Sequence, residues 1–291
     1  MTIIWACRNV CVAMTIILAL SVAGTAARAE EERDEGVTGT DASARPWILV
    51  SMGPTGCSGG CTNVFSTIKR LSENPHGRII HFSQLTPELI EEIQPAFIVL
   101  GPQGTPWCRY SGEKGIRLQN LMWTIPQVAE AMNIPILGIC GGHQALALAF
   151  GGKVGPIRAG EDDCMPYTRE RQGGVIPVTV VSSDPLFEGI DGTIRILSSH
   201  YDEVKVLPPG FRVLASDQLC PVQIMRHPTL PVYGIQGHPE RFGKERPEGG
   251  VLLRNFLKIA LTHNQTVRPT AEESEPRVVT AGGTKAKRAT N

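Results

Sequence analysis

The sequence predicts an α/β fold: a mostly parallel, doubly wound sheet with flanking helices and a small antiparallel extension. Three observations carry that prediction. Between Pro46 and Phe150, short apolar runs closed by glycine-containing turns alternate with stretches of helical periodicity. Glycine-rich turns follow the runs, at the sheet edge where open parallel sheets build their sites. After Phe150 strand-like runs succeed one another with only turns between them, the texture of antiparallel pairing.

In order along the chain, Trp47-Ile48-Leu49-Val50 is a continuous apolar run closed by Gly53-Pro54, as a strand buried on both faces requires. A helical pattern near Thr62 to Glu73 leads to a second run, Arg78 to Phe82. The third, Ala96 to Leu100, stops at Gly101-Pro102, and a long helix near Leu118 to Met132 precedes the fourth, Ile134 to Ile139. Strands are then expected at Val175 to Val181, Thr193 to Leu197, Phe211 to Ala215, Pro221 to Met225 and Val232 to Ile235, with a last helix near Val251 to Leu261. No internal repeat is visible.

A chain of 291 residues, 42% hydrophobic, can bury a core without metal or disulfide staples. Lys+Arg 28 against Asp+Glu 28 argues against nucleic acid as a partner, which calls for a basic excess. The first residues read as a secretory signal: Arg8, an apolar run from Val10 to Val22, then Ala27-Arg28-Ala29 before a cleavage point. That run falls short of the roughly 20 residues that cross a bilayer, so no stable membrane span is expected after cleavage. The expected organisation is a signal peptide over 1–29, a flexible linker over 30–45, one folded domain over 46–263 and a polar, disordered tail over 264–291. The protein is expected to be exported, to a periplasm or the outside.

The strongest chemical signal is Gly138-Ile139-Cys140-Gly141-Gly142-His143-Gln144, between an apolar strand and a helix. A Gly-x-nucleophile-x-Gly turn forces its central residue into a strained corner above the sheet, and small neighbours avoid clashes there. A cysteine in that corner sits at a helix N-terminus, whose partial positive charge favours the thiolate. A thiol nucleophile needs a base, and the base needs a third group to orient it. Tyr233-Gly-Ile-Gln-Gly-His238-Pro-Glu240, just past another strand, supplies both, with His238 facing Cys140 and Glu240 holding the other ring nitrogen. The histidine after the elbow, His143, reads as support for the site, and His200 is open between packing and function.

These two motifs, with Phe150-Gly151-Gly152-Lys153-Val154 and Ser199-His200-Tyr201-Asp202-Glu203-Val204, resemble class I glutamine amidotransferase domains, closest in texture to that of GMP synthase. The resemblance runs from about residue 47 to 262. It implies a Cys-His-Glu triad of Cys140, His238 and Glu240 that attacks the side-chain amide of glutamine, releases ammonia and hydrolyses a γ-glutamyl thioester. It also implies that Gln144, Ser199, Tyr201 and Asp202 hold the amino-acid end of the substrate. No cofactor and no metal are expected; Cys57 and Cys61 have no second Cys/His pair at zinc-site spacing.

Several positions depart from the family's pattern. Gly141 stands where a larger residue is common and Gly237 where an aromatic is usual, which is expected to leave room beside the triad. Tyr201 replaces a glycine. In the turn Leu100-Gly101-Pro102-Gln103-Gly104-Thr105-Pro106, an ungapped match puts Pro102, which has no N–H, in the place of an oxyanion donor. Sliding by one residue assigns Gly101 instead, alongside the N–H of Gly141.

The expected activity is therefore cysteine-dependent release of ammonia from glutamine, with free hydrolysis the simplest outcome for an exported chain; because no phosphate-loop motif is present, any transfer of the ammonia would need a separate synthetase chain as a possible partner. Two alternatives remain: a secreted γ-glutamyl peptide hydrolase, or a non-catalytic binding domain with a degraded oxyanion hole. Cys140 is expected to stay outside any disulfide. Of the remaining cysteines beyond the signal, Cys57, Cys61, Cys108, Cys164 and Cys220, at most two bridges can form, and one among Cys57, Cys61 and Cys108 is expected.

Overall fold

A computed structural model of the chain describes residues 45–57, 59–110, 112–161, 164 and 168–268. The expected signal peptide, nearly all of the linker and the tail beyond Arg268 lie outside the described residues. The strands are β1 (Trp47–Ser51), β2 (Gly77–His81), β3 (Ile98–Leu100), β4 (Ile136–Ile139), β5 (Lys153–Pro156), β6 (Gln172–Val180), β7 (Thr193–His200), β8 (Asp202–Val206), β9 (Arg212–Ser216), β10 (Ile224–Arg226) and β11 (Val232–Ile235). The helices are α1 (Gly60–Ser72), α2 (Pro87–Ile93), α3 (Gly112–Met132), α4 (Gly141–Ala149) and α5 (Glu248–Val267).

Nine strands form one sheet in the order β2-β1-β3-β4-β11-β10-β9-β6-β7, and β5 pairs with β8 in a separate ribbon. From β2 to β11 every neighbour is parallel, and from β11 onward every neighbour is antiparallel. The α/β expectation is thus met, with an antiparallel part longer than a small extension. Along β1 the buried side chains alternate: Trp47 and Leu49 join the core under α1 and α5, while Ile48 and Val50 join the core under α3 and α4. Two covered faces explain why these strands read as unbroken apolar runs.

Helix α2 was not expected, because seven residues are too few to show periodicity. Its start is nonetheless well specified: the Thr86 hydroxyl accepts from the Leu89 N–H at 3.2 Å and Pro87 opens the first turn. The domain boundary at 263 is corrected, since α5 continues through Val267. Asn264 is buried and donates to the Ala96 carbonyl at 2.8 Å, and Arg268 donates to that of Pro95 at 2.8 Å. Polar residues there serve the ends of neighbouring chain, so the apolar pattern fades before the helix does. Among the described residues no helix is long and apolar enough to cross a membrane.

Among the described residues there are two disulfides, Cys57–Cys61 and Cys108–Cys164, and Cys140 and Cys220 are free thiols. Cys140 stays unbridged, as expected. A bridge joining two of the three cysteines at the strand ends also occurs; Cys108, the third, instead reaches forward to Cys164 on the connection between β5 and β6.

The sheet and α4 approach so closely that Gly142 has no room for a side chain: a Cβ there would lie 2.1 Å from the Leu100 carbonyl oxygen. Gly142→Ala should therefore destabilise the protein by about 3 kcal/mol, the upper range for overpacking. Urea denaturation checks this, and an unchanged midpoint would contradict the contact.

Candidate active site

Strand β4 ends at Ile139 and α4 begins at Gly141, leaving Cys140 alone in the corner with φ 52° and ψ −106°. Such a backbone costs a non-glycine residue on the order of 1–3 kcal/mol, so neighbouring structure must hold it. The Cys140 N–H donates to the Ile235 carbonyl at 2.8 Å, and its own carbonyl accepts the Gln144 N–H at 3.1 Å. Gly138 permits the corner on the other side, for a Cβ there would lie 2.4 Å from the Gly142 carbonyl oxygen.

Parallel pairing sets Gly234 beside Gly138 and Ile235 beside Ile139, so the chain leaving β11 emerges next to Cys140. The His238 N–H then donates to the Leu197 carbonyl at 2.8 Å, tying that segment to β7. On the His238 ring, Nδ1 lies 2.9 Å from Glu240 Oε1, and the Glu240 side chain is fully buried. Burial works against a charge on His238, but hydrogen bonds to Cys140 and Glu240 and the charges of both outweigh it, raising its pKa to about 10.

Cys140 and His238 face a cavity of 470 Å³ walled by Gly53, Pro54, Cys61 and Pro102. A second hollow of 130 Å³ shares Cys140 and Ser199 with the first and is lined by Gln144, Arg169, Tyr201 and Asp202. One hollow thus presents a sulfur with an imidazole, the other a set of polar groups. No group of metal-ligating side chains occurs among the described residues.

Residues 79–260 match the family Glutamine amidotransferase class-I. The chain belongs to the class-I glutamine amidotransferases. It is 42% identical over 130 residues to a GMP synthase [glutamine-hydrolyzing] subunit of Pyrococcus abyssi, covering 45% of this chain and 62% of that protein. The same protein of Thermococcus kodakarensis is 38% identical over 150 residues, 52% of this chain and 73% of its own length. A solved structure from Thermoplasma acidophilum, assigned as a GMP synthase subunit, superposes with a TM-score of 0.58 at 25% identity, covering 76% of this chain and 96% of that one. The chain thus spans under two thirds of the first of these relatives.

Within this amidotransferase the polar residues expected around the substrate are held by one another. Gln144 Nε2 donates to the Asp202 carbonyl at 2.6 Å and to Gln236 Oε1 at 3.2 Å, while its Oε1 accepts from Trp107 Nε1 at 2.7 Å. The Asp202 carboxylate is gripped by Arg169, 2.5 Å away, whose side chain is only 2% exposed. Ser199 Oγ accepts from Arg171 at 2.8 Å. Arg169, Gln236 and Trp107 were given no role by the sequence. Gln236 stood inside a recognised motif, while nothing in the sequence singles out Trp107.

Three expectations are corrected. The Gly101 N–H donates to the Val50 carbonyl at 3.0 Å as part of the β1–β3 pairing, so it is spent. Gln103 is the residue that meets the elbow: a Cβ on Gly141 would lie 2.8 Å from the Gln103 N and 2.3 Å from its Cγ. The room expected at Gly141 is therefore filled by Gln103, and that at Gly237 by Ile196, whose Cδ1 would lie 2.8 Å from an added Cβ.

The histidines separate cleanly. Burial holds His143 neutral, lowering its pKa to about 3, and Gly234 exists to clear its ring, 2.5 Å from a would-be Cβ. Burial likewise lowers His200 to about 4, and its nitrogens are engaged by the Asp202 carbonyl at 2.9 Å and Gln172 Oε1 at 2.8 Å. Both rings are buried, and that of His200 also lines the smaller hollow beside Cys140.

With a folded pKa raised from 6.5 to about 10, the stabilisation His238 gains from its proton is complete below 6.5 and lost as pH rises through about 10. In Cys140→Ala the sulfur's share disappears, so the His238 midpoint followed by NMR should fall. An unchanged midpoint would mean that sulfur and imidazole do not interact.

Proposed function

We propose that the chain is a cysteine amidohydrolase that releases ammonia from glutamine through a γ-glutamyl thioester. The observation that carries this reading is the His238–Glu240 pair at 2.9 Å beside a cysteine in a strand-to-helix elbow that opens on a cavity. Cys140 attacks the side-chain amide carbonyl, and the protonated His238 delivers its proton to the departing nitrogen, releasing ammonia. The now neutral imidazole takes a proton from water, which attacks the thioester, and glutamate leaves as the sulfur regains its electron pair. Glu240 orients the ring and balances its charge.

The Gln103 and Gly141 N–H groups are the proposed oxyanion donors, which supports a working rather than a degraded hole. Filling of the spaces at Gly141 and Gly237 favours glutamine over bulkier γ-glutamyl peptides. The relatives' designation as one subunit of a synthase supports a separate synthetase chain as the acceptor of ammonia, while the two disulfides support an exported protein. N-terminal sequencing of the exported protein should start at Glu30; an intact Met1 in a cytosolic pool would oppose that location.

Purified protein given glutamine should yield ammonia and glutamate in equal amounts, Cys140→Ala should yield neither, and Glu240→Gln should retain a reduced rate. Absence of both products from the wild type, with and without a synthetase chain, would overturn the reading. Gln103→Pro, which removes the N–H, should lower kcat on the order of 100-fold. Gln103→Ala, which keeps it, should cost far less, and equal losses would place the donor elsewhere.

A further inference from the structure

We propose that Gln236 is an additional catalytic residue, holding a donor N–H on the Cys140 sulfur through a chain of hydrogen bonds that starts at Trp107. The proposal rests on Cys140 as the nucleophile. Gln236 is fully buried, its backbone N–H donates to the Gln223 carbonyl at 2.8 Å, and its side-chain Nε2 lies 3.9 Å from Cys140 Sγ, within reach of a sulfur acceptor. Upstream, Gln144 donates to Gln236 and accepts from Trp107.

The direction of this chain does not depend on how either amide is drawn. An indole N–H can only donate and a backbone carbonyl can only accept. Trp107 Nε1 therefore requires oxygen at its end of the Gln144 amide, and the Asp202 carbonyl requires nitrogen at the other. That nitrogen faces Gln236, which must answer with Oε1 and so turn its own N–H groups toward Cys140. Two fixed ends thus set two amides, and the sulfur is offered a donor. A donor favours the thiolate over the thiol before attack, and supports the sulfur again when the thioester breaks and the electron pair returns to it.

The other charged or titratable groups around the sulfur come from several elements. His238, backed by Glu240, follows β11; His143 lies on α4, His200 on β7, and the Arg169–Asp202 pair lines the adjoining hollow. His143 and His200 are neutral near pH 7, and Asp202 is matched by Arg169, so the thiolate is held by His238 and Gln236 together with the N-terminus of α4, while Arg171 is engaged by Ser199. His238 must surrender its proton to the leaving nitrogen during turnover. Gln236 keeps its own throughout, which distinguishes its contribution.

Alkylation of Cys140 by iodoacetamide reads the thiolate without any turnover, with Cys140→Ala as the blank for Cys220. Gln236→Met, close in size but unable to donate, should slow alkylation about tenfold at pH 7, the size of one hydrogen bond to a charged group. With glutamine, kcat should fall by a similar factor while KM stays within about twofold, since the loss lies at the sulfur. Trp107→Phe removes the indole N–H at a half-buried surface turn and frees both amides to rotate, so it should slow alkylation in the same direction. Combining it with Gln236→Met should add nothing further. Wild-type alkylation in Gln236→Met overturns the proposal; should that variant fail to fold, wild-type alkylation in Trp107→Phe overturns it. Normal alkylation throughout in a protein that never hydrolyses glutamine would refute the proposed function as well. Slowed alkylation in an inactive protein would refute that function alone.

Discussion

Parallel pairing of β4 with β11 is the constraint on which the site depends. The two strands are far apart in sequence, and their register sets Gly138 against Gly234. A slip of one residue would turn every side chain to the other face of the sheet. It would also carry His238 away from the corner occupied by Cys140. The register is locked at several points at once: the Cys140 N–H caps the Ile235 carbonyl, His143 fills the space left by Gly234, and His238 is bonded to Leu197. The strain at Cys140 is sustained because these contacts leave the chain no other path.

How legible this was depended on whether a feature belongs to one stretch of chain or to several. The strands β1 and β4 were readable because both of their faces are covered, which makes the run apolar without interruption. The elbow and the His-Pro-Glu turn were readable because their chemistry is local. Strand β8 was not, since Asp202 and Glu203 are buried acids that only their partners make tolerable: Arg169 for one, Lys205 at 2.6 Å for the other. Nothing in the local pattern announces a partner more than thirty residues away. The Cys108–Cys164 bridge and the Trp107–Gln144 bond are hidden for the same reason.

The polar groups near the sulfur also show why their number is not a number of catalysts. Arg169 and Asp202 form a buried ion pair beside Ser199 and Tyr201, at the junction of β7 and β8. Such a pair contributes little net stability because desolvation offsets attraction, yet loss of either member leaves an uncompensated charge. His200 and Gln172 are hydrogen-bonded to each other where β7 and β6 meet. The groups left free to act on a substrate are consequently few, and they converge on Cys140.

The two most conspicuous departures from the family's pattern are best understood as one change. In the turn after β3, Gly101 is committed to the sheet and Pro102 has no N–H. Gln103 can approach the elbow in its place only if position 141 carries no side chain, since a Cβ there would meet Gln103 at 2.3 Å. Glycine at 141, read in isolation, suggests a roomier pocket. Read with Gln103, it is the clearance that lets the Gln103 N–H, the proposed oxyanion donor, lie against the elbow. A residue larger than glycine at 141 would push the Gln103 N–H outward, and by the steep distance dependence of such bonds most of its stabilisation would go with it. With Gln103 as the proposed donor, pocket size and oxyanion stabilisation are set by the same atoms, and a change to one alters the other.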